Sequence, residues 1–294
     1  MQSHGAVGDN DPSPPVVNLS GYRVVNLSGY RFVAVDDPAA LARRLEGELD
    51  ACGVRGTVLV APEGVNVAIA GTEAATACAR RALAADARLA GLPLKPSRSD
   101  APPFARLKVR VRAEIIAFDG GRLDATERAP ALSADTLARW LDGERKGVRL
   151  LDTRNAYEVR TGAFEGALSL DIDHFREFTA AVEAALADGT LDLEAPLVTY
   201  CTGGVRCEKA APWLLDRGFA EVWQLDGGIL DWLARRGAER WRGDCFVFDD
   251  RLSVDAALAP TGAGLCAGGG AAVRPGAPCA CGRAAPEADA PAPG

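Results

Sequence analysis

At 294 residues and 48% hydrophobic content, the chain is long enough for two domains of ordinary size, each with its own core. A net charge of −7 excludes a broadly basic surface and gives no reason to expect a DNA partner, though it leaves room for a local basic patch. No apolar run approaches the roughly 18–20 residues of a membrane span, and the polar first residues lack the charged-then-apolar pattern of a secretion signal, so a cytoplasmic protein without a membrane partner is expected.

The octapeptide VVNLSGYR occurs at Val16–Arg23 and again at Val24–Arg31. Two copies in a row cannot both pair in one register, so the second is read as a strand and residues 1–23 as a flexible extension. Residues 24–118 then alternate strand, helix, strand, strand, helix, strand. Asp37-Pro38 starts a helix whose apolar face is Leu41, Leu45 and Leu49. RGTVLVA and VNVAIAG are strands joined by the turn Pro62-Glu63-Gly64, Thr72-Glu73 opens a second helix, and LPLKPS with LKVRVRAEIIAF completes the sheet. That order predicts a ferredoxin-like, acylphosphatase-like α+β domain.

Residues 119–130, rich in Gly, Asp and Thr, read as a linker. In residues 131–240 the short strands VRLLD, LVTYC and EVWQL alternate with helical stretches, which predicts a doubly wound parallel sheet. Residues 241–259 form an extension, and from Pro260 to residue 294 the Ala, Gly and Pro content predicts disorder. Eight cysteines without a secretion signal favour reduced thiols with catalytic or metal roles over a disulfide framework.

The chemistry concentrates in VTYCTGGVRCEKAAPWLLDRGF, Val198–Phe219. Here a buried strand ends at Cys201 and a helix begins a few residues later, at the edge of a parallel sheet where ligands bind. A free thiol with a pKa of about 8.5 is mostly protonated at neutral pH. The amides of Thr202, Gly203, Gly204 and Val205, curled around the sulfur and followed by Arg206, would hold it as a reachable thiolate. Cys207, in the first helical turn, is either a resolving thiol for an oxidised Cys201 or a packing residue beneath the loop. Asp152 and Arg154 are expected to tie down a neighbouring strand end, with Arg154 paired to Glu158 four residues on. With His4 and His174 as the histidines, a Cys-His dyad is not supported.

The Cys-x-x-Gly-x-Arg loop, with LLDTRNAYEVRTGAFEGAL upstream and VWQLDGGILDW downstream, resembles the active-site region of the rhodanese domain; Ala163 stands where that family often has His. Over Tyr30 to Arg251 the segments GTVLVAPEGVNVAIAGT, PFARLKVRVRAEIIAF, LDTRNAYEVRTGAFEGA, DIDHFREF, YCTGGVRCEKA, QLDGGIL and GDCFVFDDR are similar, in order, to the tRNA uridine hydroxylases with a rhodanese domain. The resemblance implies oxygen-dependent 5-hydroxylation of the wobble uridine, with the tRNA anticodon loop as partner and molecular oxygen as cosubstrate.

From the residues alone, Lys95, Arg98, Arg106, Lys108, Arg110 and Arg112 form a basic stretch, and strand alternation places Lys108, Arg110 and Arg112 on one face suited to phosphates. Phe104 is a candidate for stacking on a base. Cys245, Cys266, Cys279 and Cys281 lack two Cys-x-x-Cys pairs, so no zinc site or other metal is assigned. Three functions remain open: the hydroxylase, a sulfurtransferase carrying a persulfide on Cys201, and a non-catalytic RNA-binding protein.

Overall fold

The computed structural model describes residues 24–120, 128–266 and 268–278. The second octapeptide copy, extended by Phe32, is β1 (Val24–Phe32); the first copy lies outside the described residues. There follow α1 (Pro38–Ala51), β2 (Arg55–Ala61), β3 (Gly64–Gly71) and α2 (Glu73–Ala84). Next come β4 (Lys95–Ser99) and β5 (Leu107–Val111). The order β4-β1-β3-β2 is the ferredoxin-like arrangement, which β5 extends by pairing parallel to β2. Asp37 caps α1 by accepting from the Ala40 amide at 2.8 Å. Leu41, Leu45 and Leu49 then bury against Val58, Val60, Val67 and Ile69 of the sheet. Leu107 and Val109 of β5 join that core, so period-2 alternation leaves Lys108 and Arg110 exposed on the opposite face.

The second unit contains β6 (Ala131–Leu132), α3 (Ala134–Arg139), β7 (Arg149–Asp152) and α4 (Ala156–Thr161). After β8 (Gly162–Phe164) and β9 (Leu168–Ser169) come α5 (Phe178–Ala187), β10 (Leu197–Tyr200) and α6 (Cys207–Asp216). The unit closes with β11 (Val222–Leu225) and α7 (Gly228–Arg236). Its five-stranded sheet runs β6-β11-β10-β7-β9 with every pair parallel. Both faces are covered. Leu150, Val198 and Tyr200 pack with α3 and α7 on one side, and Leu151, Leu197 and Val222 with α5 and α6 on the other. The C-terminal ends of β7, β10 and β11 therefore open on the same edge.

The chain continues through β12 (Trp241–Gly243), β13 (Cys245–Phe246) and β14 (Ser253–Val254). The stretch expected to be disordered from Pro260 is instead ordered as far as Pro278, with β15 (Gly264–Leu265) paired to β16 (Ala272–Val273). The Ala272 amide donates to the Thr161 hydroxyl at 3.0 Å, and Arg274 grips Asp244 at 2.6 and 2.7 Å. Small residues misled the compositional reading: Ala271 and Ala272 are buried because their short side chains let the backbone lie close against α4. Residues 279–294 lie outside the described residues.

The expectation of reduced thiols also needs correction. Cys52, at the end of α1, is disulfide-bonded to Cys78 in α2 with their Cα atoms 5.6 Å apart, because the two helices pack side by side. Cys266 is disulfide-bonded as well, whereas Cys201, Cys207 and Cys245 are free and buried.

The two units are joined by polar and aromatic contacts. Lys209 of α6, only 4% exposed in its side chain, reaches Glu63 at 2.9 Å and Glu114 at 2.6 Å, and donates to the Ile116 carbonyl at 2.9 Å. Phe118 stacks on Phe175 at 5.2 Å and meets Trp213 edge-on. Replacing Lys209 by Ala leaves two carboxylates without their shared cation. The expected loss is roughly 2 kcal/mol, less than for a fully buried pair because Glu114 is partly solvated. Urea unfolding of the whole chain checks this, and an unchanged midpoint would show that the ion cluster does not hold the units together.

Candidate active site

β10 is buried at every residue and delivers Cys201 to the C-terminal edge of the sheet. From there Thr202–Arg206 curl into a loop, and α6 starts at Cys207. The first amides of α7 anchor the loop, Ile229 donating to the Cys201 carbonyl at 3.0 Å and Leu230 to the Thr202 carbonyl at 3.1 Å. Close approach explains the glycines. A Cβ on Gly228 (φ 63°) would stand 2.4 Å from the Cys201 carbonyl oxygen, and one on Gly204 (φ 102°) 2.8 Å from the Tyr30 hydroxyl.

The Gly204 amide donates to Cys201 Sγ at 3.1 Å. Burial opposes ionisation of this thiol, but a hydrogen bond from Cys207, the Arg206 guanidinium and the amides of Arg206 and Gly204 outweigh it. Together they bring the Cys201 pKa down to about 5. Cys207 is pushed well above the ordinary thiol range by burial and by the neighbouring Cys201 anion, so it stays protonated and acts as the donor. Its sulfur lies 3.8 Å from the Thr153 hydroxyl. Of the predicted loop residues, Gly203 presents its carbonyl to Lys95, Thr202 turns its hydroxyl towards Glu158 at 3.4 Å, and Val205 is half-buried.

The ion pairs differ from the sequence expectation. Arg154 is fully buried and pairs bidentately with Asp152, its Nη2 at 2.6 Å, while its contact with Glu158 is to the backbone carbonyl at 3.4 Å. The Glu158 carboxylate instead takes Arg206 in a fork at 2.6 and 2.7 Å. The reason is local. Glu158 sits in the first turn of α4 and folds back to accept from the Asn155 amide at 3.1 Å, as in a capping box. That turns its carboxylate towards the Cys201 loop. Arg206 is thus held as a positioned cation beside the sulfur, with its charge shared by Glu158.

The N-terminal domain docks directly on this loop. Lys95, expected on an RNA surface, instead donates from β4 to the carbonyls of Gly203 at 3.1 Å and Gly227 at 2.5 Å. Burial lowers its pKa while Asp231, Asp226 and Cys201 act in the opposite direction. Tyr30 of β1 donates to Glu208 at 3.2 Å and rests against Gly204. The expectation of a reachable sulfur is corrected accordingly: Cys201 is 0% exposed. Among the other basic candidates, Arg98 pairs with Glu73 at 2.6 Å, while Arg106, Lys108, Arg110 and Arg112 are exposed. Phe104 is half-buried. Cys245 is pushed up to about 12 by burial, and Cys266 is disulfide-bonded. Sequence reading missed Tyr30, Glu208 and Lys209, whose roles arise only from contact between domains.

A parallel sheet that offers a loop thiolate at its C-terminal edge, between a strand and a helix, defines a rhodanese-type domain, here joined to an acylphosphatase-like one. Family models match both, the UPF0176 acylphosphatase like domain over residues 24–115 and the rhodanese-like domain over residues 133–235. The tRNA uridine(34) hydroxylase of Bordetella petrii is 44% identical over 258 residues, covering 85% of this chain and 97% of the relative. That of Xanthomonas axonopodis pv. citri is 44% identical over 239 residues, covering 78% and 93%. The chain belongs to the tRNA uridine(34) hydroxylase family.

Two measurements probe the thiolate. Ultraviolet absorbance should show Cys201 ionising near 5. Arg206→Met should raise that inflection by about 1–2 units through loss of a nearby cation, and Lys95→Met should raise it by less. An ordinary thiol titration in the unaltered protein refutes the electrostatic account. The folded thiol ionises near 5, against about 8.5 when unfolded. The associated stabilisation is therefore complete above the unfolded value and disappears as pH falls through the folded one. Cys201→Ser should lose this dependence, so its stability deficit should widen from pH 5 to pH 8; a constant deficit contradicts the assignment.

Proposed function

We infer that this chain hydroxylates the wobble uridine of tRNA at C5, with Cys201 as the reacting group. The observation that carries the reading is that tRNA uridine(34) hydroxylases match both domains, over 97% of the length of the Bordetella petrii relative. The N-terminal domain that sulfur transfer alone does not require is thus retained, and it is seated on the catalytic loop.

The Cys201 thiolate adds to C6 of the uracil ring, a covalent nucleophilic step. Electron density then gathers at C5, where molecular oxygen reacts. One oxygen atom stays on C5 and the other leaves as water, with two electrons and two protons from an external reductant, and loss of the C5 proton as the sulfur is expelled restores the ring. The Arg206–Glu158 fork and the Gly204 amide keep the sulfur in place through these changes of charge. Because Cys201 is buried, entry of the base requires Tyr30 and Lys95 to part from the loop, a gating step of the kind that accompanies closure over a substrate.

The exposed row Arg106, Lys108, Arg110 and Arg112 carries the phosphates of the anticodon arm. Replacing these four by Gln should weaken tRNA binding and flatten the log–log salt dependence by roughly 2–3, as read by filter binding; an unaltered slope places the RNA elsewhere.

Mass spectrometry of tRNA nucleosides tests the function itself. Cells whose only copy carries Cys201→Ala should lack 5-hydroxyuridine from this pathway, and undiminished product removes Cys201 from the chemistry. A sulfurtransferase would instead lose thiosulfate-dependent thiol sulfuration while the hydroxylated nucleoside persisted.

A further inference from the structure

Phe248 stands out on the surface beside the active site. It is 61% exposed, the most exposed of the large hydrophobic residues among those described, where every other aromatic is buried or half-buried. Its ring has the Arg206 guanidinium 5.8 Å from its centroid and Phe246 edge-on at 5.3 Å. Arg206 is the residue that fixes the Cys201 loop, so this solvent-facing ring lies one side chain away from the sulfur.

The segment carrying the ring is held in the seam between the domains. The Asp250 amide donates to the Pro103 carbonyl at 3.1 Å, and Arg251 reaches Ser97 of β4 at 2.8 Å while gripping Asp249. The Val247 amide closes the turn by donating to the Leu252 carbonyl at 2.9 Å. Pro103 leads directly into the stretch that carries Arg106, Lys108 and Arg110. A rigidly mounted aromatic thus lies between a basic strand and a thiolate loop. Exposed aromatics of this kind bind nucleobases, because each base has a π-face and stacking needs no matched hydrogen bonds.

We propose that Phe248 is the stacking platform for a nucleobase flanking the target uridine, with Arg206 behind the ring and the RNA backbone on the basic strand. This rests on the hydroxylase reading and adds a positioning residue to it. With a neighbouring base stacked outside the loop, the target nucleotide is splayed towards Cys201 rather than stacked within the anticodon.

The test uses the full-length enzyme and an anticodon stem-loop RNA, either intact or abasic at both positions flanking the target. Phe248→Leu keeps apolar bulk without a π-face; it should raise KM for the intact RNA about tenfold, within the range of base–aromatic stacking, and leave the Cys201 titration unchanged. Phe248→Trp should restore KM to within about twofold, and its added fluorescence should be quenched by the intact RNA. With the abasic RNA, the unaltered enzyme and Phe248→Leu should give the same KM. If Phe248→Leu matches the unaltered enzyme on intact RNA, or its defect persists undiminished on abasic RNA, the platform is overturned while the hydroxylase reading stands. If the unaltered enzyme neither binds nor hydroxylates the intact RNA, both are overturned.

Discussion

The buried fork between Arg206 and Glu158 is the interaction on which the site depends. Both side chains are almost wholly withdrawn from water, 5% and 0% exposed. Such a pair adds little net stability, because desolvation consumes most of the Coulombic gain. What it contributes is position. It connects the loop after β10 to the first turn of α4, and hence to the neighbouring strand β7, so that the Cys201 loop cannot drift from the sheet edge. It also sets the local electrostatics. With Glu158 sharing the charge of Arg206, the thiolate relies as well on the Cys207 thiol and on backbone amides, and a second cation, Lys95, interacts with it.

That second cation comes from the other domain, which makes the two-domain arrangement part of the site. Lys95 and Tyr30 touch the loop itself, while Lys209 and Phe118 hold the domains in register a short distance away. The result is a closed state with the sulfur ionised and shielded. Shielding has a chemical use, since an exposed low-pKa thiolate is the form most readily oxidised. Contact between the domains therefore both tunes the Cys201 thiol and shields it.

Much of the architecture was legible beforehand, because it follows from local periodicity. Alternation in RGTVLVA and VNVAIAG and the leucine spacing of α1 translate directly into a sheet with one helical face. Cys-x-x-Gly-x-Arg between an apolar strand and an amphipathic helix marks the Cys201 loop by the same local logic. The readings that failed concern long-range partners. Arg154 and Glu158 have suitable spacing for a helical pair, yet Glu158 bends into its own cap and meets Arg206 instead. Cys52 and Cys78 are separated by 26 residues and meet only because α1 and α2 pack together. The Ala- and Gly-rich stretch after Pro260 looks unable to fold, and it does so by lying against α4 rather than by forming a core of its own.

By itself, the sequence determined the two domain types, the order of their strands and helices, and the place of Cys201 in a strand-to-helix loop, since each depends on residues close together in the chain. Tertiary structure alone decided that Lys95 serves the loop rather than RNA, that Cys201 is shut away, and that Phe248 faces solvent next to Arg206. Those outcomes depend on how one folded surface meets another. Side-chain spacing encodes the fold of each unit, but the geometry of a contact between distant segments is set only once both have folded.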